Sequence, residues 1–114
     1  PNAALALLND PTFVEAARAL ATRIIKEKTG SLEERIQFAW LTVLSRKAKA
    51  DEVALLVGLF KESAKEYADQ PERAKELLKV GLAPADASLD PSELASWTMV
   101  SRAILNLGET TIRN

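Results

Sequence analysis

Two Asp-Pro pairs, Asp10-Pro11 and Asp90-Pro91, each open a run of apolar residues at helical spacing, and this repeated device constrains the fold more than any other feature of the chain. An aspartate ahead of a helix offers its carboxylate to first-turn N–H groups that have no partner. A proline at the first helical position gives up no hydrogen bond there. After the first pair, Phe13, Ala17, Leu20 and Ile24 form a stripe, with Val14, Ala21 and Ile25 beside it. Glu15, Arg18, Thr22 and Lys26 are expected opposite, in water, and Gly30 ends the helix. After the second pair, Leu94, Trp97, Val100, Ile104 and Leu107 form a helical stripe, widened by Met99, Ala103 and Leu105. Glu93 is placed to close a capping box with Asp90, and Gly108 reads as the terminator.

The middle of the chain carries the same punctuation. Ser31 and Glu34 have capping-box spacing, and the helix they open presents Ile36, Trp40, Val43 and Leu44, with Phe38 and Leu41 extending the apolar arc. A helix apolar on most sides is expected at the centre of the packing. Arg46, Lys47 and Lys49 follow it and are read as cations complementing a helix C-terminus. The next helix sets Val53, Leu56, Val57, Phe60, Ala64 and Tyr67 on one face, with Gly58 inside it as the expected crossing point of a neighbour. "QPERAKELLKVG" reads as a short helix with Pro71 near its start, Gly81 at its end, and Ala74, Leu77 and Leu78 turned inward. "LAPADASLD" is the one real loop, and "ALALL" (Ala4 to Leu8) is a short apolar run ahead of Asp10.

Alanine and leucine dominate, and aromatic residues make up only 5% of the chain, which favours close-packed helices over a sheet. The expectation is an all-α fold, a compact bundle of about five helices with short connections, with residues 1–114 forming a single helical domain. Its core should hold Phe13, Leu20, Ile24, Ile36, Trp40, Leu44, Leu56, Phe60, Leu77, Trp97, Val100 and Ile104.

The chemistry is bounded by two zeros. Without cysteine or histidine the chain has no thiolate, no imidazole base, no proximal haem ligand and none of the usual nitrogen or sulfur ligands for zinc. No Asp-rich loop of EF-hand spacing, no glycine-rich phosphate loop and no nucleophile elbow is present, so no catalytic, cofactor-binding or metal-binding residues are assigned and no cofactor is expected. The acid pairs Glu33/Glu34, Asp51/Glu52 and Asp90/Glu93 each fall in a first helical turn, where the backbone dipole favours negative charge without any catalytic purpose. A net charge of -1 attracts no nucleic acid, and the last helix carries only Arg102 and Arg113 for such contacts. No apolar run approaches the length of a membrane span.

Arg102 stands out on the last helix: a guanidinium among so many apolar residues must reach outward or find a carboxylate, and Asp10 is the expected partner. The chain opens at Pro1 in a helix-like pattern. Either an initiator methionine was removed or the chain is a piece of a longer polypeptide, and the second reading is preferred.

Four stretches carry a family resemblance: "LALLNDPTFVEAARALA" (5–21), "ERIQFAWLTVLSR" (34–46), "LLKVGLAP" (77–84) and "LASWTMVSRAILNLGE" (94–109). Taken together the chain resembles the C-terminal part of the planctomycete-type PSD domain of unknown function. The resemblance implies the tail of a longer domain in large exported proteins, at the periplasm or cell surface, often alongside cytochrome c-like domains. Ser45 stands where that family commonly has glycine, Gly108 where an aspartate is frequent, and Lys49 where a Thr or Ser cap is usual. The functional expectation is a non-catalytic structural or protein-interaction module that packs on the missing N-terminal region of its own chain or on another protein. The alternative is part of an enzyme completed by sequence absent here, to which Asn9, Asp10, Arg102 or Asn106 would contribute.

Overall fold

A computed structural model describes residues 10–113, and the side chains of residues 10–109. Five helices follow one another: α1 (Pro11–Glu27), α2 (Leu32–Leu44), α3 (Ala50–Asp69), α4 (Pro71–Leu78) and α5 (Pro91–Arg113). No strand occurs among the described residues. The run from Ala4 to Leu8, and Asn9, lie outside them.

The caps form where the sequence puts them. The Asp10 carboxylate accepts from the Thr12 N–H at 2.8 Å, with Pro11 at the first helical position. Ser31 and Glu34 exchange side-chain and backbone bonds in a complete capping box. The Asp90 carboxylate accepts from the Glu93 N–H at 2.9 Å, whereas the Glu93 carboxylate turns to Arg35. At Lys49 no side-chain oxygen exists to cap α3, and the Glu52 carboxylate reaches back to the Lys49 N–H at 2.8 Å instead. Ser45, past the end of α2, is the one non-glycine residue with positive φ among the described residues, at 59°. A side chain is strained in that left-handed region, where glycine is the usual occupant.

The central helix is α5, not α2: every other helix packs against it. From Leu94 to Ser101 only Met99 escapes full burial, and the small hydroxyl residues Ser96, Thr98 and Ser101 let neighbouring backbones come close. Ser96 and Thr98 turn their hydroxyls back to the carbonyls of Ser92 and Leu94, whereas the buried Ser101 hydroxyl finds no partner among the described residues. α2 keeps Leu41 exposed, which is why an apolar arc alone misjudged its place. Leu94, Val100 and Ile104 are wholly buried, each contributing roughly 2 kcal/mol of transfer free energy. Trp97 is wedged between α2 and α3, with the Phe60 ring 4.6 Å away and the Arg35 guanidinium 5.2 Å from its own ring. Neither the Trp40 nor the Trp97 indole N–H finds an acceptor, so both tryptophans serve as core volume.

Eight of the twelve expected core residues are buried, and Leu44, Phe60 and Leu77 pack on that core partly covered. Phe13 is the exception. It is half-exposed, and Val14 takes the buried position beside it. Two glycines exchange roles as well. Gly58 faces open space, with no atom within 4 Å of where a Cβ would sit, so no helix crosses there. The close crossing is at Gly108, buried inside α5 and not at its end, where a Cβ would sit 3.0 Å from Val43 and 3.3 Å from Leu44.

The largest departure is Arg18, expected in water and found 4% exposed. Its guanidinium donates to Leu78 O at 2.8 Å, Val80 O at 2.9 Å and Ala83 O, closing off the carbonyls at the end of α4 and in the following loop. Glu15, one turn earlier, accepts from the Leu82 and Ala83 N–H groups, and Lys26 pairs with Asp86. Those loop N–H groups hold the Glu15 carboxyl below its ordinary range. Asp86 is held far lower, by Lys26 first and then by Ser88. The polar side of α1 is thus a tether for residues 79–86. Gly81 belongs to it, with φ at 96° and Glu15 lying where its Cβ would be.

Candidate functional site

An open groove of about 530 Å³ lies between α3 and α5. On α3 it is lined by Glu52, Leu55, Leu56 and Leu59, which recur at helical spacing. On α5 the same periodicity brings Met99, Arg102, Ala103, Asn106 and Leu107 to the facing wall, and Trp40 of α2 lies in the floor. The two walls run antiparallel. Ser92 at the start of α5 donates its hydroxyl to Tyr67 O at the end of α3, while Leu55 and Leu107 meet in the groove at the opposite ends. Leu55 is 74% exposed on its lip.

Polar groups are few here and unequally engaged. The Glu52 carboxylate is bridged by Arg46 at 3.1 and 3.2 Å and also accepts the Lys49 N–H, and both contacts hold it below the ordinary carboxylate range, Arg46 foremost. Arg46 in turn lies over the Trp40 ring, 5.1 Å from its centroid. Arg46 is therefore neutralised and stacked, not part of a free basic patch. Arg102 is different. It is half-buried and forms no ion pair among the described residues, its Nη1 lying 3.8 Å from the Met99 sulfur.

The pairing of Arg102 with Asp10 does not form, because Asp10 spends its carboxylate on its own helix. Of the residues singled out for an enzyme, Arg102 and Asn106 share the groove one turn apart, Asp10 is not in its lining, and Asn9 lies outside the described residues. Glu33, Glu34, Asp51, Glu52 and Glu93 sit in first helical turns, and Asp90 caps its helix from the residue before it. Among the described residues no cluster of acidic side chains could hold a metal ion, and no helix is long and apolar enough to cross a membrane. The groove itself had a legible signal on each wall, since Glu52, Leu55, Leu56, Leu59 and Met99, Arg102, Ala103, Asn106 are helical rows. Nothing in the sequence said that the two rows face each other.

Fold and groove define an all-α helical module with an apolar groove whose lining carries one cation, Arg102, that forms no ion pair among the described residues. Residues 1–60 match the model of PSD1, a protein family of unknown function (DUF1553), and the chain belongs to that family. The match spans the first two of the four resembling stretches, and the later two fall beyond it. No curated protein and no solved structure matches the chain.

Proposed function

We propose that this chain is a non-catalytic interaction module, and that its α3–α5 groove is where it packs on other protein. The observation that carries the reading is the groove's lining: leucines, a methionine, an alanine and a tryptophan at helical spacing, with Leu55 left in water. Apolar rows on two neighbouring helices offer the shape that a third helix fills. An active site completed by other sequence is the weaker reading, because the groove's one carboxylate, Glu52, is already engaged by Arg46 and the Lys49 N–H. The family resemblance supplies the context for the proposal: the C-terminal portion of a longer domain in an exported, cytochrome-linked protein.

The test is a peptide-display selection on the intact chain, counter-screened with Leu55→Glu, a change on an exposed position that leaves the core untouched. Sequences enriched on the wild type and lost on the variant support the reading. Binders indifferent to Leu55, or no enrichment at all, would remove it.

A further inference from the structure

We infer that the groove's occupant is an amphipathic helix of another polypeptide, carrying a carboxylate that pairs with Arg102. The inference rests on the docking reading above and adds the chemistry of the partner. The argument is one of charge. Two arginines lie at the groove, Arg102 in its lining and Arg46 over the Trp40 ring, and Arg46 is answered internally by Glu52. Arg102 alone is left facing a thioether, a weak acceptor that cannot balance a guanidinium. Covering the groove with a wholly apolar segment would strip water from that cation and leave it unpaired, which is costly. A partner with a carboxylate at the matching turn restores the charge balance and forms a forked, charge-assisted hydrogen bond.

Why a helix follows from the walls. Leu55, Leu56 and Leu59 on α3 and Met99 and Ala103 on α5 are spaced by three and four residues, so the depressions between them repeat at the pitch of helical ridges. An extended strand would present side chains at the wrong interval and bring unsatisfied backbone groups against leucine.

The experiment is a calorimetric titration of the intact chain with a short Leu/Ala-rich helical peptide bearing one Glu, scanned through successive positions, and with its Gln twin. At the best position the Glu peptide is expected to bind about tenfold more tightly than the Gln peptide. Arg102→Met should abolish that difference, weakening the Glu peptide far more than the Gln peptide. Equal affinity of the Glu and Gln peptides at every position, with both lost on Leu55→Glu, overturns the charge pairing and leaves the groove reading standing. Binding of neither peptide overturns both. Two further outcomes would assign the groove to a different occupant and sink the inference: a stable dimer in sedimentation that Leu55→Glu dissociates, or a large gain in peptide affinity when Leu7 and Leu8 are replaced by serine.

Discussion

Two arginines on two apolar helices, Arg18 of α1 and Arg102 of α5, meet opposite fates. Arg18 sits within the row Val14, Arg18, Ala21, Ile25 and is buried against three backbone carbonyls that arrive from residues 78–83. Arg102 lies in a comparably apolar row, yet the neighbouring elements bring it no carbonyl and no carboxylate among the described residues, only the Met99 sulfur. The side chains are the same, and the difference is what the rest of the chain carries to them. On the α1 side a polar loop has a use for five donors in a planar fork. On the α5 side no such acceptor arrives among the described residues.

The comparison can be broken most forcefully at Arg18. Arg18→Leu orphans three carbonyls and should cost about 3 kcal/mol, a fall in Tm of roughly 12 °C. Arg18→Lys should recover less than half, since a single ammonium cannot span the three acceptors. Thermal and urea unfolding measure both, and a loss under 1 kcal/mol would show that the tether is dispensable. Gly81→Ala strikes the same region through the backbone. With φ at 96° and Glu15 in the way, a loss of about 2 kcal/mol is expected, read from the same unfolding curves.

Gly58→Ala acts on the groove-bearing helix and in the opposite direction. Open space around this helical glycine means that the methyl group meets nothing, so stability should rise by about 1 kcal/mol. An unchanged or lower Tm would restore a crossing at this position. Arg102→Leu, the counterpart of the first substitution, should move stability by no more than about 0.5 kcal/mol in the isolated chain. A large destabilisation there would erase the contrast between the two arginines.

Acid should separate the regions too. Glu15 and Asp86 both have depressed carboxyls in the folded chain, so their contribution is complete above the ordinary carboxylate range and is lost as pH falls below about 4 towards their lowered values. Protection factors for amide exchange at residues 79–86 should fall across that window, while the amides of Leu94 to Ser101 in α5 keep their protection. Uniform loss across both would mean global unfolding and no local tether.

Much of the fold was legible in advance because its signals are local. A cap needs a carboxylate or hydroxyl two or three residues from the N–H it serves, and Asp10, Ser31 and Asp90 each satisfy that within their own segment. Stripe periodicity located Leu20, Ile24, Ile36, Trp40, Trp97 and Ile104 in the core for the same reason. The glycines were harder to read. Gly58 and Gly108 both lie inside helices, and whether a glycine marks an approach depends on a neighbour that the local sequence does not mention. Arg18 reads with the polar residues of α1, and its burial depends on carbonyls that arrive from residues 78–83, 60 or more residues away in sequence.

By itself, then, the sequence determined the helices, their ends and their apolar faces, and with no cysteine or histidine it removed whole classes of chemistry. Those properties depend on interactions spanning at most a turn or two of chain, or on side chains that are simply missing. Only the tertiary structure decided that α5 is the centre, that the polar side of α1 binds the loop, and that Arg102 waits at the edge of an apolar groove. Each of these depends on which surfaces end up opposite one another. That is set by the whole packed assembly, because a residue's partners are chosen among all faces that compete to be buried.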